Sequence, residues 1–225
     1  MMMITNKIKL LLSRIFLLTL AFGVSSCLTF EESYTFQKNG SGSMKYLIDM
    51  SEIAQLMKMN ASADSAAEST SFSFTETAER LQEIKGISKV QVLDNEDTGM
   101  YGVTFDFNNI DVLNLALNEI MVEDAESEFF TFFTRQGNTI TRTHLMPEDA
   151  LPEEFEDEET AGQISSLMES MKYKLNFTFA QPVKVVYSGA NSELGGKKEQ
   201  SVWVETDFKT LLHDVSTLNT SIVLK

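Results

Sequence analysis

The stretch LTFEESYTFQKNGSGSMKYLIDMSEIAQLMKM, residues 28–59, decides the fold class. From Thr29 to Phe36, Phe30, Tyr34 and Phe36 fall at even positions, the period-two signal of a half-buried strand. Asn39-Gly40-Ser41-Gly42 supplies residues that tolerate positive φ, so a hairpin turn is expected there. Met44, Tyr46 and Ile48 then alternate with Lys45, Leu47 and Asp49 as the return strand. Ser51 is expected to cap a helix beginning near Glu52, with Ile53, Leu56 and Met57 on one face.

The same grammar repeats outward. Residues 58–78, KMNASADSAAESTSFSFTETA, are rich in Ala, Ser and Thr and read as a loop; the alternative is that the preceding helix continues through Ala61 to Glu68. A helix from Thr77 to Ile84 ends at Gly86, whose missing Cβ suits a C-cap. A hairpin follows, with Val90 and Val92 opposite Val103, Phe105 and Phe107. The next helix, Ile110 to Met121, spaces Val112, Leu113, Ala116, Leu117 and Ile120 on one side. A second hairpin turns at Gly137-Asn138, and its return strand alternates Thr139, Thr141 and Thr143 with Ile140, Arg142 and His144. A helix from about Thr160 turns Ile164, Leu167, Met168 and Met171 inward. Strands over 173–179, 183–187 and 201–205, a short helix over 208–212 and a final strand over 218–224 complete the chain. The expected fold is α+β, an antiparallel twisted sheet of hairpins packed against helices on one side.

At the N-terminus, Lys7, Lys9 and Arg14 precede the apolar run Ile15 to Val24, and Ser25 and Ser26 follow. A basic head, a short apolar core and small residues describe a secretory signal. The run is too short for the roughly 20 apolar residues of a spanning helix. Val24-Ser25-Ser26-Cys27 resembles a bacterial lipobox, with Val24 where Leu is usual. That resemblance implies cleavage between Ser26 and Cys27, a diacylglycerol thioether on the Cys27 sulfur and an acyl chain such as palmitate on its new amino group. The competing reading is ordinary cleavage leaving an unpaired thiol. Cys27 is the only cysteine, and an exported odd thiol is an oxidation hazard that lipidation removes. The expected organisation is therefore a cleaved lipoprotein signal over 1–26 and one α+β domain over 27–225, tethered by lipid at Cys27.

Loss of residues 1–26, with three basic and no acidic side chains, leaves 199 residues and takes the net charge from −15 to −18. That balance argues against nucleic acid, which is met by basic patches. It equally argues against attachment to anionic lipid by charge, so the anchor must be covalent.

The lipobox, the F-x(3)-Y-x-F strand, the N-G-S-G turn and the Y-x-I-D-M strand are together similar to lipoproteins of Bacteroidetes-type bacteria. With KYKLNFTFAQPVKVVYSGA and SVWVETDFKTLL near the C-terminus, the chain resembles the LppM-like lipoprotein domain. The resemblance implies a fold and an address in the cell envelope, at the outer membrane with the domain in the periplasm or at the cell surface. It implies no activity.

Candidate sites are few. Asp94 to Gly102, DNEDTGMYG, has Gly99 sixth from Asp94 as a calcium loop needs. Its twelfth position is Phe105 instead of a bidentate Glu, so a hairpin turn is the better reading. Glu148, Asp149, Glu153, Glu154, Glu156, Asp157, Glu158 and Glu159 read as a solvated run at a helix start. His144 and His213 accompany no G-x-S-x-G, H-E-x-x-H or phosphate loop and read as surface or satisfied histidines. Trp203 reads as a core anchor. Phe129, Phe130, Phe132 and Phe133 place aromatic groups on both faces of one strand; full burial is the favoured reading and a cavity or partner surface the other. No catalytic residue, metal ligand or cofactor is expected. The expected function is a non-catalytic envelope lipoprotein with a structural or partner-binding role. The alternative is a domain sheltering an apolar ligand or lipid among its Phe and Met side chains, and an envelope hydrolase ranks last.

Overall fold

The computed structural model describes residues 28–60, 73–122, 128–145 and 165–225. The opening hairpin forms as expected. β1 (Thr29–Phe36) and β2 (Gly42–Asp49) pair in full register, from Thr29 opposite Asp49 to Phe36 opposite Gly42. Gly40 makes the turn at φ 86°, where a Cβ would be strained. α1 (Ser51–Asn60) takes in Ser51 itself, whose N–H donates to Asp49 Oδ1 at 2.9 Å, so Asp49 serves the first turn. The side chains of Leu56 and Met57, and the alternative helix over 61–68, lie outside the described residues.

α2 (Thr75–Glu83) begins slightly before the expected Thr77. Its C-cap is the extended Ile84; Gly86, at φ 106°, shapes the turn into β3 (Ile87–Val92) against the Asn108 side chain. β4 (Met100–Phe107) closes that hairpin with a register shift between Ser88 and Gln91. α3 (Ile110–Met121) is capped by Asn109, whose side chain accepts from the Val112 N–H at 2.9 Å. β5 (Phe133–Gln136) and β6 (Thr139–Arg142) form the next hairpin about Gly137 at φ 60°. A helical segment covers 165–170, and there Leu167 is exposed instead of facing in. Then come β7 (Lys172–Phe179), β8 (Val183–Ser188), β9 (Asn191–Gly195), β10 (Ser201–Asp207), α4 (Phe208–His213), a 3₁₀ turn (Val215–Leu218) and β11 (Thr220–Leu224).

These strands form two sheets instead of one. The first has seven strands in the order β3-β4-β2-β1-β7-β10-β9, the second four in the order β5-β6-β11-β8. Antiparallel pairs dominate, with one exception at the centre. β1 and β7 run parallel, Thr29 beside Lys172 through to Phe36 beside Phe179. A hairpin grammar cannot announce that pair, because parallel neighbours need a long crossover.

One face of the seven-stranded sheet carries the core. Phe36 stacks with Phe179 at 5.6 Å and Tyr34 with Phe177 at 5.5 Å, while Phe133 from the second sheet meets Tyr34 edge-on at 4.8 Å. Leu81 of α2 and Leu113, Ala116 and Leu117 of α3 join the same buried cluster. Burying each large apolar side chain contributes about 1.5–3 kcal/mol, so this shared layer is the main stabilising feature. The covering layer is thus helices plus a second sheet.

Trp203 corrects an expectation. In β10 the buried side chains are Val202, Val204 and Thr206, and Trp203 is 44 % exposed on the opposite face. Its ring lies over Gly195 of the neighbouring strand, where an added Cβ would meet it at 2.0 Å. A strand alternates in two phases, and here the smaller valines hold the core phase.

Candidate functional site: a sealed charge cluster and an open groove

Glu32 sits on β1 in the same phase as Tyr34 and Phe36, and therefore points into the core. Arg142 ends β6 in phase with Ile140 and comes from the facing sheet. They meet as a buried ion pair: Nη2 donates to both Glu32 oxygens at 2.9 Å and Nε donates to Oε2 at 3.2 Å. The exposures are 0 % for Glu32 and 1 % for Arg142. Tyr34 and Tyr173 each donate a hydroxyl hydrogen bond to Glu32, one to each oxygen. Arg142 Nη1 donates to the Thr143 carbonyl, and the guanidinium lies 5.0 Å from the Phe132 ring centre and 5.5 Å from that of Phe133.

Burial alone would push the Glu32 carboxyl up. The Arg142 charge and the two phenols outweigh it and hold that carboxyl below its ordinary value. Burial first, and the same carboxylate second, hold the Tyr34 and Tyr173 hydroxyls well above theirs. Arg142 stays charged, because Glu32 more than offsets its desolvation.

His144 stands beside this group. It is 8 % exposed, its ring meets Tyr173 edge-on at 4.8 Å, and its backbone N–H donates to Asn219 Oδ1 at 2.8 Å. Its Nδ1 is the buried side-chain nitrogen or oxygen that lacks a hydrogen-bond partner among the described residues. Burial first, and Arg142 second, push the imidazole down to about 4. A protonated His144 would help Glu32 stay charged, but near neutrality the ring is uncharged. It is therefore neither the surface nor the satisfied histidine expected. His213, at the end of α4, is exposed as expected.

The chemistry open to this cluster is limited by access. Neither the carboxylate nor the guanidinium reaches solvent, and the phenols are committed to Glu32. The pair links the two sheets directly, β1 to β6. Its sequence signal was present: Glu32 and Arg142 are charges standing in the apolar phase of their strands.

A second construction lies on α3. Asn114 accepts from the Phe133 N–H at 2.7 Å and donates to the Phe133 carbonyl at 2.9 Å. One turn later Asn118 does the same for Phe130, at 2.9 Å and 2.8 Å. Each amide supplies a donor and an acceptor, as a neighbouring strand would. The amides at i and i+4, beside the apolar stripe, were the overlooked signal.

This clamp explains the four phenylalanines. The chain over 128–132 is not a strand, so strict alternation does not apply. Phe132 and Phe133 are both buried, Phe130 packs at the core's margin against Phe132, and Phe129 is 57 % exposed. Full burial therefore holds for two of the four. Phe129 instead lines an open groove of about 500 Å³ between α3 and residues 129–135, with Leu115, Ile110, Asp111 and Arg135 among its walls.

The other expected sites resolve as follows. Val24, Ser25, Ser26 and Cys27, and the acidic run from Glu148 to Glu159, lie outside the described residues. Leu28, the next residue, is already in the fold: its carbonyl accepts from the Lys172 N–H at 2.9 Å. In the 94–102 loop, Asp94 Oδ2 accepts from Ser73 Oγ at 2.8 Å and the Phe74 N–H at 3.0 Å. That carboxylate ties the start of α2 to the turn, consistent with the hairpin reading. Among the described residues no helix is long and apolar enough to cross a membrane.

No protein family's sequence profile matches the chain. No curated protein matches it either. Among solved structures it is similar to the NMR structure of the Mycobacterium tuberculosis LppM protein folded domain. The identity is 11 %, with 89 % of this chain and 91 % of that chain covered and a TM-score of 0.43.

Proposed function

We propose that this chain is an envelope lipoprotein, held to a membrane by lipid on Cys27, whose domain is non-catalytic and acts as a structural or partner-binding module. The observation that carries the reading is the join between anchor motif and fold. Val24-Ser25-Ser26-Cys27 follows a basic and apolar leader, and Leu28, the next residue, already accepts a hydrogen bond from Lys172. The non-catalytic part rests on the Glu32–Arg142 cluster, in which the groups suited to acid–base work are sealed and mutually committed.

Mass spectrometry of the N-terminal peptide from membrane-purified protein tests the anchor. The expected mass is that of a chain beginning at Cys27 with a diacylglycerol thioether. Cys27→Ser should release the protein from membranes or leave the leader uncleaved. A native chain beginning at another residue with a free thiol would overturn the reading.

The groove favours a second reading, in which the domain takes an apolar segment or acyl chain beside Phe129 and Leu115. The interior Phe side chains pack on one another, so the groove is where such a ligand would sit.

A further inference from the structure

Across β2, β1, β7 and β10 the two ends of the seven-stranded sheet differ in chemistry; β4 beside them begins in the polar 94–99 turn. At the end where β1 begins, the residues just beyond the four neighbouring strands β2, β1, β7 and β10 are Met50, Leu28, Met171 and Phe208. They stand in one row: Asp49 pairs with Thr29, Thr29 with Lys172, and Lys172 with Asp207. Backbone hydrogen bonds tie the row, with Lys172 N–H donating to the Leu28 carbonyl at 2.9 Å and Phe208 N–H to the Met171 carbonyl at 3.1 Å. All four side chains are half-buried; Leu28, Met50 and Phe208 pack on the core with one side, Phe208 against Phe30 at 5.0 Å, and keep the rest of their surface outward. At the opposite end the corresponding places on the same four strands hold Gln37, Ser41, Ala180 and Gln200, with Gln37 and Ala180 exposed.

We propose that the Met50–Leu28–Met171–Phe208 row is a membrane-contacting fringe, laid on the bilayer that holds the Cys27 lipid. This rests on the lipid-anchor reading, and it names the surface that reading leaves open. Cys27 and Leu28 are adjacent, so their Cα atoms are about 3.8 Å apart and Leu28, with the row it belongs to, starts beside the lipid-bearing residue. With eight residues in β1, the polar end stands about 25 Å farther out at a rise of roughly 3.3 Å per residue. A chain this acidic gains nothing from anionic headgroups, so short-range apolar contact is the attraction available. Lys172 and Lys209 flank the row, Lys209 paired with Glu169 at 2.6 Å, and long cationic side chains suit that depth because their stems are apolar.

The test uses the full lipidated protein, floated in phosphatidylcholine vesicles carrying a headgroup-nitroxide lipid. Cys27 is consumed by its lipid, so one introduced cysteine takes a fluorophore. Exposed sites are chosen to spare the fold: Lys209→Cys beside the fringe, and Lys38→Cys and Glu199→Cys at the far end. The expected result is loss of most fluorescence at 209 and almost none at 38 or 199. Equal quenching at both ends in floating, acylated protein overturns the fringe and leaves the anchor standing. Protein that neither floats nor carries acyl mass overturns the anchor, and the fringe with it.

Discussion

Glu32 and Arg142, 110 residues apart, join the facing strands of two different sheets through a sealed pair at 2.9 Å. Each is charged in a place where an unpaired charge is untenable. Removing one partner therefore costs more than the pair itself contributes. Arg142→Met and Glu32→Leu should each lower unfolding free energy by about 3–5 kcal/mol. The double variant should recover much of that loss, because no lone charge remains. Urea titrations of the three variants would read the non-additivity, and simple addition of the two losses would refute the account.

Acid should weaken the fold in two steps. His144 titrates at about 4 in the folded chain against an ordinary 6.5. Between those values the unfolded chain binds a proton that the folded one refuses, so stability is lost as pH falls through the window. The full difference is about 3 kcal/mol. Glu32, held below its ordinary 4.5, adds a loss in the same direction below that pH. Denaturation midpoints measured from pH 7 to 4 should fall steadily, and His144→Phe should flatten the slope above pH 4.5.

The Asn114 amide satisfies both backbone groups of a buried residue. Asn114→Leu keeps the branching of the side chain and strands an N–H and a carbonyl, at about 1–3 kcal/mol each. Asn118→Ala should cost less, since that amide is half-buried and water can replace it. The comparison is made by chemical denaturation, with Phe129→Ser as a control expected to fall within about 0.5 kcal/mol of the parent.

Trp203 is the only tryptophan, so intrinsic fluorescence reports one place. With the indole 44 % exposed, native emission should lie toward the red and shift little on unfolding. Gly195→Ala would drive a Cβ into the ring and should alter emission while leaving the core intact. A strongly blue native spectrum would contradict this placement.

Much of the architecture was readable from local pattern. The β1–β2 hairpin, the turns at Gly40 and Gly137 and the apolar stripe of α3 follow from period and turn chemistry, which act over a few residues. Both sequence errors at Trp203 and Leu167 came from assigning size to the core without knowing which phase or face the neighbours would cover. The Phe129–Phe133 run was misjudged because Asn114 and Asn118 hold that segment out of regular alternation.

What the sequence determined by itself is the α+β alternation and the net acidic charge, properties of local pattern and of composition, together with a Val24-Ser25-Ser26-Cys27 stretch that resembles a lipobox. Only the tertiary structure decided the parallel β1–β7 pair, the second sheet and the sealed Glu32–Arg142 cluster. The β1–β7 pair and the Glu32 cluster join residues more than 100 positions apart, and the second sheet pairs Arg142 with Thr220, 78 positions on. A charge in an apolar strand phase reads as an exception until its partner arrives from across the fold; burial then makes that partner obligatory.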